Sequence, residues 1–238
     1  PDQKRIFLSR IFEKIKTEEV ISADLKIHEL ISQFQDDVEL VAFDAPLTLP
    51  KCVTCRLKCP GYEVCSEAEI IWMRDLYSEI NKKKKPKKIF TPYTQRCAEA
   101  YLNYHLAEGM DVQHGLGSNM APLAARAQFI VRRLGLKCIE VFPKLTIWRV
   151  GQDLPLSKSY MKRYRHSLGG DESRKLFLEL PSQKKQLFFY QQDLKVMIEN
   201  SHAFDAFICA YTAYLSFSDL TEPRPKKFPG KELWIDFP

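Results

Sequence analysis

The chain has 238 residues and a formal net charge of +6, from 36 Lys and Arg against 30 Asp and Glu. The run at 82–88 holds Lys82, Lys83, Lys84, Lys85, Lys87 and Lys88 around Pro86, and without it the two signs balance, so a uniformly basic, histone-like coat is excluded. With 45% hydrophobic and 12% aromatic residues, the composition supports a substantial core and excludes both a disordered and a membrane-embedded chain.

Residues 4–20 mix apolar and charged positions and read as a strand or short hairpin. Ser22 is placed as the N-cap of a helix whose stripe is Ile27, Leu30, Ile31 and Phe34, with Asp36 and Asp37 breaking the pattern. Residues 38–43 follow as a short apolar strand that ends at Asp44, because Pro46 and Pro50 forbid its continuation. Residues 51–66 form a Cys-rich loop. Ser66 and Glu69 have capping-box spacing and open a helix with Ile70, Met73, Tyr77 and Ile80 on one face. The lysine run 82–88 then reads as an exposed basic loop.

Thr94 is the expected cap of a helix that carries Cys97, Tyr101 and Tyr104 along one side. Gly115 and Gly117 mark a loop, residues 118–134 a long helix, and Gly135 its C-terminal end. Residues 138–142 are a second short strand, stopped by Pro143. Helices are expected at 157–168, 186–200 and 201–217. Pro223, Pro225 and Pro229 then lead to a last strand at 233–237. No internal repeat is visible. Short apolar strands alternating with helices predict one α/β domain over 1–238, with helices on both faces of the sheet. No charged-then-apolar leader opens the sequence, and the most apolar stretch, 204–217, is short for a bilayer and carries Asp205. The expectation is a cytoplasmic protein with no membrane partner; nothing in the sequence sets its oligomeric state.

Three carboxylates stand out. Asp44 lies where a buried strand gives way to a loop, a common place for sites in α/β proteins and also for an Asx turn. Glu140 lies inside an apolar strand, so it must face solvent, pair with a base or line a site. Asp205 lies in the first turn of an apolar helix, with His202 three residues earlier on the same face. Hydrolysis of a phosphodiester by divalent cations needs carboxylates that converge from different elements, and hard Mg²⁺ prefers such oxygen ligands.

The motifs Ala42-Phe43-Asp44-Ala45-Pro46-Leu47, Ile139-Glu140-Val141-Phe142-Pro143 and His202-Ala203-Phe204-Asp205-Ala206, in this order, resemble an uncharacterised bacterial and archaeal family of predicted nucleases with the RNase H-like fold. The helix start at His202 is also similar to the closing helix of Holliday-junction resolvases, and the 233–237 segment to the family's terminal strand. The resemblance implies a mixed sheet flanked by helices and a Mg²⁺- or Mn²⁺-dependent nuclease that cleaves DNA or RNA by a two-metal mechanism. In that reading Asp44 and Asp205 are metal ligands, Glu140 a third carboxylate, and His202 a ligand or proton-transfer group. Arg96 is a phosphate contact. The family also places an Asp in an opening strand, for which Asp2 and Asp24 lack flanking strand pattern, so either that strand lies upstream of Pro1 or the site is incomplete. The alternative is a non-catalytic nucleic-acid-binding module that keeps the fold.

Cys52, Cys55, Cys59 and Cys65 supply the four thiolates of a tetrahedral zinc site and nearly span a zinc knuckle, with Cys59 in place of the usual His. A [4Fe–4S] cluster, and with it an iron–sulfur redox or sensing protein, is a second reading of the same four residues, and free or disulfide-bonded cysteines a third. Cys97, Cys138 and Cys209 sit in apolar patterns and read as core. The six lysines of the basic loop are placed as sequence-independent phosphate contacts. Lys158, Lys162, Arg163 and Arg165 form a second basic patch, with Tyr160 and Tyr164 as stacking groups.

Overall fold

The computed structural model describes residues 20–83, 85, 87, 89–105, 112–152, 157–183 and 187–238. Asp2, Lys84, Lys88 and nearly all of the expected strand or hairpin at 4–20 lie outside the described residues. Three strands, β1 (Val41–Phe43), β2 (Cys138–Val141) and β3 (Ile235–Asp236), form a sheet in the order β1-β2-β3. Both pairings are parallel, with Phe43 opposite Glu140 and Glu140 opposite Ile235. The resemblance implies a mixed sheet, but the described strands contain no antiparallel pair. The chain between consecutive strands contains helices, and such crossovers return the chain in the same direction.

The helices are α1 (Val20–Gln33), α2 (Lys51–Thr54), α3 (Ala68–Lys83), α4 (Cys97–His105), α5 (Met120–Leu134), α6 (Pro143–Gln152), α7 (Lys158–Arg163), α8 (Gly170–Gln183), α9 (Gln191–Glu199) and α10 (Ser201–Phe217). Among the described residues, none is long and apolar enough to cross a membrane. Ser22 lies inside α1, so it is not the cap. Lys82 and Lys83 form the last turn of α3, where cations complement the helix dipole, so the basic loop begins later than its composition predicts. Pro143 opens α6 instead of merely ending β2, since proline at the first helical position forfeits no hydrogen bond.

Strand alternation puts Ile139 and Val141 on one face of β2, while Phe142, just after the strand, packs on another core. Ile139 and Val141 pack against Cys209 and Ala213 of α10, whose small side chains let this helix lie close over β1 and β2. A second core joins α3 and α4 to Leu145, Trp234, Ile235 and Phe237. A third gathers Trp148, Tyr164, Phe177, Met197, Phe204 and Phe207 from α6 to α10. Helices thus flank the sheet, and α10 enters its core with Asp205 in the second turn.

Candidate active site

Asp44 follows β1 directly, because the strand ends there and the chain turns into the Pro46 loop. Asp205 is carried by α10, whose start is fixed by Asn200: its side-chain Oδ1 accepts from the amides of His202 at 2.9 Å and Ala203 at 3.2 Å. The two carboxylates meet on one cation. Arg165 donates from Nη2 to Asp44 Oδ2 at 3.2 Å and pairs through Nε with Asp205 Oδ2 at 2.9 Å. Asp205 is nearly closed off, with a side-chain exposure of 8%, whereas Asp44 keeps 36%. The second oxygen of Asp205, Oδ1, is buried with no hydrogen-bond partner.

Arg165 lies in the turn after α7, not in the helix expected over 157–168. Arg174 of α8 holds that turn: its guanidinium donates to the carbonyls of Tyr164 and of Ile198, the latter at 2.7 Å. Gly170 permits the approach, since a Cβ there would come within 2.9 Å of the Arg163 and Tyr164 carbonyl oxygens. Tyr164, read as a stacking group, is 3% exposed. Its hydroxyl is buried beside Asp205, and burial together with that nearby carboxylate pushes it up. Tyr160 is exposed, and Lys158 lies over the Trp148 ring at 5.8 Å.

Partial desolvation pushes the Asp44 carboxyl up to about 6, with Asp205 and Glu140 adding to the rise and Arg165 opposing it. Asp205 is raised in the same direction by burial, against the pull of Arg165, Tyr164 and His202. His202 is exposed at the start of α10, on the side from which it acts on Asp205.

Glu140 is 4% exposed and belongs to a different network. Both its oxygens accept from the Arg96 guanidinium, Nη1 at 2.7 Å to Oε2, and Oε2 also accepts the Leu47 amide at 2.9 Å. Arg96 is 1% exposed and also pairs through Nε with Glu99 at 2.7 Å. The expected phosphate contact is therefore a core residue whose guanidinium is held by two carboxylates. Glu99 reaches back to the Arg96 amide at 3.0 Å, and Glu232 accepts the Cys97 and Ala98 amides at 2.9 and 2.7 Å. These two acids cap α4, not Thr94, which sits in the preceding turn. Burial pushes Glu99 up to about 7 despite Arg96. Gly115 closes this network, for a Cβ there would lie 2.8 Å from Glu99 Oε1 and 2.9 Å from Arg96 Nε. Asp44, Glu140, Arg96 and Glu99 line one cleft between the ends of β1 and β2. Glu140 thereby ties the loop after Asp44 to the core.

Lys82, Lys83, Lys85 and Lys87 are exposed; Lys83 donates to the Tyr104 hydroxyl at 2.9 Å, and Lys87 to the Asn81 carbonyl. Of the four loop cysteines, Cys59 is exposed and Cys52, Cys55 and Cys65 are half-buried. Among the described residues, no three His, Cys, Asp or Glu side chains are already gathered closely enough to hold a metal ion. Asp24, in α1, pairs with Arg126 at 2.6 Å. Cys97 and Cys209 are buried as expected, while Cys138 is half-buried.

The sequence signal for Arg165 is limited to its place in a basic patch, 121 positions from Asp44. The fold and the site define an α/β protein with a small parallel sheet and a strand-end and a helix carboxylate clamped by one arginine. The chain belongs to the family described as Protein of unknown function (DUF429), whose model matches residues 16–228. Comparison with curated proteins and with solved structures returns no match.

Proposed function

We propose that this chain is a Mg²⁺- or Mn²⁺-dependent nuclease of RNase H-like architecture that hydrolyses phosphodiester bonds in DNA or RNA. One observation carries the reading: Asp44 and Asp205, from separate elements, converge on a single cation, and Asp205 keeps a buried oxygen without a partner. The guanidinium stands in for a bound metal, and the donors are hard oxygens. Mg²⁺ is commonly held by one or two carboxylates together with water and substrate oxygens, so this pair suffices as the protein's share. With the ion held by Asp44 and Asp205, the chemistry it supplies is polarisation of a phosphoryl oxygen and acidification of bound water.

The other residues act around that pair. Arg165, released from the carboxylates, is placed to hold a phosphate, for which its planar donors are suited. His202, exposed beside Asp205, is placed to move a proton. Glu140 is engaged by Arg96 and acts by positioning, fixing the Asp44 loop through the Leu47 amide. The exposed lysines at the end of α3 and just beyond it add attraction for the phosphate backbone that carries no sequence information.

The test is incubation of the full chain with Mg²⁺ or Mn²⁺ and a panel of single-stranded, duplex and branched DNA and RNA. Metal-dependent cleavage that disappears in Asp44→Asn and Asp205→Asn supports the proposal. No cleavage of any substrate, or cleavage indifferent to both substitutions, overturns it. Binding that weakens steeply with salt, without turnover or metal dependence, is the outcome that identifies a non-catalytic binding module instead.

A further inference from the structure

The loop between α2 and α3 has features that the carboxylate site does not use. Its thirteen residues from Cys55 to Glu67 contain no helix or strand, an unusual length for a connection inside a packed domain. Leu57 and Val64 are 63% and 69% exposed, so apolar burial does little to hold its middle. Its ends are nevertheless joined. Lys51 and Glu67 form an ion pair at 2.6 Å across the base, immediately outside Cys52 and Cys65. Arg74 of α3 donates through Nη1 to the carbonyls of Tyr62 at 3.2 Å and Glu63 at 2.7 Å, which fixes the returning arm. Gly61, with φ at +94°, makes the turn between the arms. Cys52 and Cys65 both pack against the α3–α4 core at the base.

A closed Ω-like loop thus carries four thiols: Cys52 and Cys55 from one helical turn at its entrance, Cys59 just before the Gly61 turn, and Cys65 on the return. We propose that Cys52, Cys55, Cys59 and Cys65 form a structural zinc site that clips this loop shut. Four protein thiolates complete a tetrahedral shell and leave no position for substrate. A doubly charged cation is what such a group of thiolates needs, and binding it releases their protons. Cys59 is exposed, so completing the shell requires it to turn inward onto the ion. Zinc here would order the loop that follows Asp44 and Pro46 without entering the chemistry.

The site stands independently of the nuclease reading. The experiment is elemental analysis of the reduced full chain purified without chelator, before and after Zn²⁺ loading, for the native protein and the Cys55→Ser and Cys59→Ser variants. About one zinc per chain is expected, lost in both variants and kept in Asp44→Asn. Far-UV circular dichroism checks that Cys59→Ser, altered at an exposed position, stays folded. Co²⁺ in place of Zn²⁺ should show the visible bands of a tetrahedral thiolate site. Bound iron with sulfide, no uptake of zinc by the reduced chain, or zinc retained in a folded Cys59→Ser variant each overturns the proposal.

Discussion

Arg165 and Asp205 form an ion pair at 2.9 Å that joins the turn after α7 to the start of α10. The same guanidinium reaches Asp44 at 3.2 Å, so one side chain neutralises two carboxylates that would otherwise repel across the end of the sheet. Any other cation that uses this pair must displace Arg165.

Arg165→Met should therefore strengthen Mn²⁺ binding, measured calorimetrically at a pH well above the titration of Asp44. An increase of about tenfold, roughly 1.4 kcal/mol, is expected from removal of the competing charge. If Arg165 instead has no contest with the ion, affinity stays unchanged.

Proton and metal also compete at Asp44, whose carboxyl is raised from 3.8 to about 6. Mn²⁺ affinity should rise as pH climbs through about 6 and level off above it. Folding has the opposite dependence at this residue. Because the folded value exceeds the ordinary one, its contribution to stability is full below about 3.8 and is lost as pH rises through about 6. Asp44→Asn should flatten the stability dependence, read from urea denaturation across this pH range.

Glu140 and Arg96 form a buried pair: losing Arg96 leaves Glu140 and Glu99 without their cation, and losing Glu140 leaves Arg96 to Glu99 alone and the Leu47 amide without its acceptor. Glu140→Ala or Arg96→Met should destabilise by about 3 kcal/mol in urea unfolding, and the double variant by less than the sum. Additive losses would show that the two side chains do not depend on each other.

Asp44 and Asp205 were legible in the sequence because each sits at a boundary that local patterns mark, the end of an apolar strand before prolines and the start of an apolar helix. Their common partner was not legible. Arg165 comes from a separate turn, and only packing of α7, α8 and α10 brings it to them. Glu140 shows the same limit from the other side: an acid in an apolar strand must face solvent, pair with a base or line a site, and the base that it pairs with, Arg96, lies 44 positions away. Helix α8 falls in the stretch between the helices expected at 157–168 and 186–200, and it opens on Gly170, whose missing Cβ the preceding turn needs. Pro143 hid α6, since proline ends a strand and opens a helix with equal ease.

Replacing Lys82, Lys83, Lys84, Lys85, Lys87 and Lys88 together with Gln should weaken nucleic-acid binding equally across sequences. If all six contact phosphate, the slope of log affinity against log salt on duplex DNA falls by about 5. Fluorescence anisotropy over a salt series gives that slope directly. An unchanged slope would assign the lysines to a solvated loop alone.

The most direct measurement of the carboxylate site is Mn²⁺ binding to the full chain, followed by electron paramagnetic resonance with the native protein, Asp44→Asn and Asp205→Asn side by side. Saturable Mn²⁺ binding that both substitutions abolish, while far-UV circular dichroism is unchanged, is the predicted result. Absence of saturable binding to the native chain, or binding that survives both substitutions, would contradict a metal site at Asp44 and Asp205.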